Sequence, residues 1–348
     1  MSANTLVKPA KPWLKRSPQE LFTSSLPSLI PIVLAAITVL LTGLSGKTGF
    51  ALAWLVFTSL IIVIWPILVK SKNLRGDLIL QSMVAVATLA FFTAVAWVLS
   101  SVLNPGLRNF HFSLLFGDSS VVEVDSPLDV GGLAHALVGS IIVVGLATLI
   151  SVPFGILSAL YITEVRGKLV PYVRFFIQAM SGVPSIVAGL FIYAALIVTQ
   201  VFPFTGFTGS LALAILMLPT VARTAEEVLR LVPDELRNAA LSLGGTQTRT
   251  IFQVVLPSAK TGLITAVILG IARVAGETAP LLLTAFGGNT VNLNPFSGTM
   301  ATLPWYIFSQ MSLGTENDVA RAWVAALTLL VLVTLIFSTA RILGRSRR

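Results

Sequence analysis

Apolar runs long enough to cross a bilayer recur along this chain, and each commits its backbone to a helix. A hydrocarbon layer about 30 Å thick needs roughly 20 apolar residues in a helix to cross it. It offers no water to a free amide or carbonyl, so only closed hydrogen-bonded structures survive there. Runs of this kind fall near 26–45, 50–69, 79–103, 134–162, 172–201, 207–222, 262–286 and 319–340. The expectation is an all-α polytopic membrane protein with about eight transmembrane helices. The sixth, interrupted by Pro219, has the weakest pattern. Composition leads the same way: 55% of residues are hydrophobic, 11% are charged and the mean hydropathy is +0.91. Such a balance excludes a soluble domain. Without cysteine there is neither a disulfide nor a thiolate ligand, only His111 and His135 could offer imidazole, and no metal centre is suggested. His135, at a helix entrance, reads as a surface or interface residue.

Basic residues orient the helices. With the N-terminus cytoplasmic, 19 of the 23 Lys and Arg fall on the inner side, and the outer side keeps Lys47, Arg108 and Arg321. Cytoplasmic loops carry such an excess, so the distribution predicts that both termini lie inside. It also accounts for the net charge of +9 through orientation and contact with anionic membrane lipid rather than nucleic acid. The basic residues of segment 223–260 are interleaved with Glu226, Glu227, Asp234 and Glu235, and no basic groove results.

That segment, between two apolar stretches, is the place where another protein would dock. Thr224 and Glu227 have the spacing of a capping box, and Pro233 followed by Asp234 and Glu235 suits a helical first turn. Leu236, Ala239, Ala240 and Leu243 form one apolar stripe. Gly244-Gly245 can supply a left-handed stop, and Thr246 can cap a further helix carrying Ile251, Val254 and Val255. A compact helical knob between spans is predicted.

The seventh run contains Arg273 and Glu277. Counting from Gly262 at 1.5 Å per residue places the arginine about 16 Å deep, where each charge costs roughly 2.5–3.5 kcal/mol. Four residues apart on one helix, the two would share a face and pair. An internal salt bridge that merely cancels two charges is one reading; the other is an arginine in an anion path, held by the glutamate between substrates. Pro153, Pro184, Pro219 and Pro280 fall within spans four to seven, where a broken helix frees backbone groups for substrate, although close helix packing uses the same residues. Gly182-Val183-Pro184-Ser185 is the most suggestive break, with its amides and the Ser181 and Ser185 hydroxyls available to an oxyanion.

Other signals are weaker. Gly46-Lys47-Thr48 resembles the end of a P-loop, but Leu41 stands where its first glycine belongs and no strand precedes it, so no ATP chemistry is expected in this chain. The first apolar run is too long for a signal-peptide core and is expected to be retained as a helix. Asp118, Glu123, Asp125 and Asp129 follow no ordered calcium-loop spacing and read as solvated loop acids.

These residues together carry a resemblance. Asn238-Ala239-Ala240-x3-Gly244-x9-Val254-x-Leu256-Pro257 resembles the EAA loop of type I ABC-importer permeases. Arg273-x-x-Gly276-Glu277-Thr278-Ala279-Pro280 and the following Leu-Leu-Leu-Thr-Ala resemble the phosphate-importer branch, with the Ala-Pro continuation closer to its PstA-type than to its PstC-type members. Gly182 to Gly189 and Gly131 to Gly139 fit the same branch, and the likeness covers about residues 79–340.

The resemblance implies one half of an importer pore in the bacterial cytoplasmic membrane. Its partners would be a PstC-like permease, a PstB-like ATP-binding dimer and an external PstS-like phosphate-binding protein. Asn238, Ala239, Ala240, Gly244, Leu256 and Pro257 would couple to the ATPase. Arg273, Glu277, Thr278, Ser181 and Ser185 would line the phosphate path, with no catalytic residue and no cofactor in this chain. Asn238 replaces the family's usual glutamate, while the geometry set by Ala239, Ala240 and Gly244 is kept. The expected organisation is a basic N-terminus with an extra transmembrane hairpin over 1–75, a helix and outer loop over 76–133, and a permease core over 134–348 with its coupling loop at 223–260. The hairpin is additional to a six-helix plan. Two alternatives stay open: a permease for another oxyanion such as phosphonate or sulfate, and a stand-alone secondary transporter or channel.

Overall fold

The computed structural model describes residues 18–41, 47–68 and 75–344, all in helices and connecting loops apart from one bridge between Phe286 and Met300. Two compact units emerge, with the boundary between Ser101 and Val102. The first contains α1 (Pro18–Leu41), α2 (Lys47–Leu68) and most of α3 (Arg75–Arg108). Helices α1 and α2 pack on each other, and Ala35 and Ala53 are buried there. The predicted runs at 26–45 and 50–69 lie partly outside the described residues. Within α3, Met83–Arg108 is long and apolar enough to cross a membrane, and none of its most apolar stretch is buried.

The second unit holds the remaining helices. Helix α4 (Ala134–Leu160) continues into a π-helical turn, Tyr161–Val165. Then come α5 (Val170–Ser181) and α6 (Ser185–Ile192), the latter ending in a second π turn, Tyr193–Ile197. Helix α7 spans Gly206–Arg230, followed by two short helices, α8 (Asp234–Ser242) and α9 (Gln247–Thr250). A third π turn, Ile251–Val255, joins α9 to α10 (Leu256–Ala275). Helices α11 (Ala279–Thr284), α12 (Leu303–Leu313) and α13 (Glu316–Gly344) complete the unit. Among the described residues five helices meet the length and apolarity of a span, or six when the bent pair α5–α6 is one.

Helix α7 is the hub. Leu213, Leu216, Met217 and Val221 pack with Val143 and Ala147 of α4, Ala188 of α6, Val274 of α10 and Leu281 of α11. Missing side chains permit this approach: a Cβ on Gly155 would meet Val221 at 2.9 Å, one on Gly270 would meet Val221 at 2.7 Å, and one on Gly262 would meet Val228 at 2.4 Å. Small residues at helix contacts let dispersion forces act where the hydrophobic effect cannot. The Ser151 hydroxyl adds a hydrogen bond to the Ala214 carbonyl at 3.2 Å.

Several expectations change here. Helix α7 passes through Pro219 without a break and runs on to Arg230, so Thr224 lies mid-helix and the capping box expected with Glu227 does not form. The cap of this helix is instead Thr205 with Thr208. Pro153 likewise sits inside continuous α4. The break at Pro184 is present, with α5 and α6 bent by 105°. The seventh run is displaced from its expected bounds: its helix is continuous from Gln247 to Ala275, and α11 begins three residues after Gly276.

Candidate functional site

The knob is built as its punctuation dictates. Pro233 caps α8, Asp234 and Glu235 occupy its first turn, and Gly244 stops it with φ +83°. The Gly244 and Gly245 amides donate to Leu241 and Ala240 at 3.0 and 3.1 Å. Thr246 then accepts from the Arg249 amide and opens α9. No residue of α8 is buried: Asn238 and Ala239 are exposed, Ala240 is half-buried, and Leu243 is 90% exposed. Leu256 and Pro257 lie further on, in the first turn of α10.

The knob is anchored by charge. Arg237 faces Glu164 with two hydrogen bonds, Nε at 3.0 Å and an amino group at 2.7 Å. The same guanidinium reaches the carbonyls of Leu229 and Val232 and the carboxylate of Asp234. Hydrogen bonding to Glu164 raises the Arg237 pKa further above its ordinary value, against the opposing effect of burial. Gln247 donates to the Glu164 carbonyl at 2.7 Å.

Arg273 and Glu277 differ from the sequence expectation. Because α10 ends at Ala275 and Gly276 caps it, Glu277 lies past the helix and the two do not share a helical face. Arg273 is exposed and Glu277 half-buried, and among the described residues neither makes an ion pair or a side-chain hydrogen bond. Thr278 precedes α11 and is half-buried. At the other break, the Gly182 and Val183 amides are spent on Ala179 and Met180, and the Ser181 hydroxyl donates to Ile177 at 2.9 Å, so the expected amide donors of Gly182 and Val183 are already occupied. Ser185 opens α6. The half-helices after the two breaks pack closely, since a Cβ on Gly189 would come within 2.6 Å of the Pro280 backbone.

Two polar clusters escaped sequence reading. Glu226 binds Arg174 of α5 at 2.9 Å and also Arg230, along a cleft of about 270 Å³ that Ser181 and Arg223 help to line. Arg321, expected as an outer surface charge, is 1% exposed and donates to the carbonyls of Ser126, Pro127 and Val130. It pins the loop over 118–132 onto α13. His135 is likewise buried rather than at the surface, edge-on to Tyr306 with ring centroids 5.2 Å apart. Arg230 lies one helical turn from Glu226, but Arg174 is 52 positions away and the loop carbonyls are 191 to 195 from Arg321, distances that leave no periodic trace in a sequence, so only the cost of burying a charge could have hinted at them.

Residues 151–348 match the family described as binding-protein-dependent transport system inner membrane component. This stretch takes in both breaks and the whole knob. The chain belongs to that family. Among its relatives, the phosphate transport system permease protein PstA of Mycobacterium leprae is 41% identical over 258 residues, covering 71% of this permease and 84% of that protein. PstA of Pasteurella multocida is 38% identical, covering 70% and 86%. A solved structure of the MetNI methionine ABC transporter, in inward facing conformations, aligns with 62% of the permease and 93% of its own chain at 20% identity and a TM-score of 0.48.

Proposed function

We propose that this permease forms one half of the pore of an ATP-driven importer and translocates inorganic phosphate. The observation that carries the reading is the 41% identity to a phosphate permease across 84% of its length. Three partners complete it: a PstC-like permease closes the pore, a PstB-like dimer hydrolyses ATP, and a PstS-like protein delivers phosphate from outside. The knob suits the ATPase, because α8 buries nothing in its own chain and presents Leu236, Ala239 and Leu243 outward. A short helix with no fully buried residue gains stability from a partner's surface.

Arg273 serves as the anion contact. It is exposed and without a charge partner among the described residues, as an arginine that must accept a passing oxyanion requires. Glu277 and Thr278 at the break, with Ser181 and Ser185 across the α6–α11 contact, complete the path; Glu277 competes for the arginine only when the segment after Gly276 moves. The protein lies in the bacterial cytoplasmic membrane with both termini inside, and α4, whose 32 residues to Val165 span about 48 Å, separates the knob from the outer loop. The hairpin of α1 and α2 is an accessory to this pore. The test is ATP-dependent uptake of labelled phosphate by the reconstituted complex, with sulfate and phosphonate as competitors. Uptake that tracks an ion gradient without the ATPase, or that prefers another oxyanion, would refute the reading.

A further inference from the structure

Glu164 and Arg237 join the knob to a span, and any role for them in coupling rests on the knob being the ATPase contact. Glu164 stands in the π turn that ends α4, with its side chain 7% exposed, and the Arg237 side chain is 13% exposed. Their bidentate contact fixes direction as well as distance. Through the Leu229 and Val232 carbonyls, the same guanidinium holds the end of α7. Gln247 brings α9 to the Glu164 backbone. Both arms of the knob therefore meet at one residue of the π turn that ends α4.

Stability does not account for the arrangement. A buried ion pair is often no better for stability than apolar residues of the same volume, because desolvation offsets its attraction. What it supplies is a rigid link of fixed direction: α8 has no fully buried residue, and its other packing is chiefly against α9 and the π turn that precedes α10. Among the described residues, no other ion pair connects α8 to a span. The link ends in a π turn, a place where a helix carries an extra residue and is often found at functional sites.

We propose that the Glu164–Arg237 pair is the positioning joint that passes displacement of α8 to α4, so that ATP hydrolysis moves the pore. The test uses the full chain assembled with its partner permease and ATPase subunits in proteoliposomes. Three quantities are read: ATPase bound per complex, ATP hydrolysed, and labelled phosphate taken up per ATP. Glu164→Gln and Arg237→Gln should each keep the ATPase bound and hydrolysing, yet lower uptake per ATP by about fivefold or more. The chain has no cysteine of its own, so Glu164→Cys/Arg237→Cys can be bridged with a short bis-maleimide. That variant should be uncoupled before bridging and coupled after it, which loss of charge alone would not give. Unchanged uptake per ATP in the single variants, or a bridge that restores nothing, would overturn the proposal. Should a single variant fail to insert, the bridged chain decides. If the unaltered chain bound no ATPase, the knob reading itself would fall; if Gly244→Val uncoupled transport while Arg237→Gln did not, only the joint would.

Discussion

Gly244 offers a clean separation of backbone strain from steric clash. Its φ is +83°, and a Cβ built there would find nothing within 4 Å. Any substitution therefore costs only what an L residue loses in the left-handed conformation, about 1–2 kcal/mol, with a β-branched side chain at the upper end. That cost falls on the two bonds that stop α8, from the Gly244 and Gly245 amides to Leu241 and Ala240. Since α8 has no fully buried residue, its last turn depends largely on these bonds and on the Leu243 amide bonded to Ala239. Gly244→Val should thus raise local opening of residues 240–245 by about five- to thirtyfold, with the spans unaffected. Hydrogen exchange of those amides in detergent measures it, and ATPase association with the same sample reads the functional consequence. Asparagine tolerates the left-handed region, so Gly244→Asn should stay close to the parent in both. Equal losses for Val and Asn would refute the backbone argument and indicate that the ATPase rejects any side chain there.

Arg273→Lys should impair phosphate uptake although charge is kept, because a point charge replaces a planar fork. Arg273→Gln should abolish uptake, and Glu277→Gln should slow turnover; parental uptake by all three would remove them from the path. In this cysteine-free chain, Ser120→Cys should react with an impermeant thiol reagent from outside and Thr248→Cys only from inside, and the opposite labelling would invert the topology. Arg321→Met should leave up to three carbonyls of the 118–132 loop without a donor, at about 1–3 kcal/mol each if water cannot replace it, seen as faster proteolysis of that loop with the spans intact.

Legibility in the sequence followed the range of the forces involved. Helices set by apolar length were readable, and so were α8 and its stop, because Pro233, Asp234, Gly244 and Thr246 act on their own neighbours. Proline was ambiguous: Pro184 marks a bend of 105°, whereas Pro153 and Pro219 are absorbed inside helices held by surrounding packing. The end of α10 at Ala275 was missed because Gly276-Glu277-Thr278 interrupts a run whose apolarity continues into α11. That error produced the expected Arg273–Glu277 face. Arg237, Arg174 and Arg321 were counted as topology markers, and their long-range partners, 52 to 195 positions away, belong to tertiary structure alone.

The burial of α7 bears on how such a protein enters its membrane. Two-thirds of its most apolar stretch faces other helices, and its sequence carries Thr, Ser, Gly and Pro where a lipid-facing span would carry leucine. Taken alone it has the lowest hydropathy of the five spans among the described residues, and so the weakest pull into lipid. It would gain residence only as α4 and α10 arrive to cover it, which makes insertion and folding one process for this segment. Damage to its glycine-lined contacts would then appear first as chains that never complete their insertion, cleared before any transport defect could be observed.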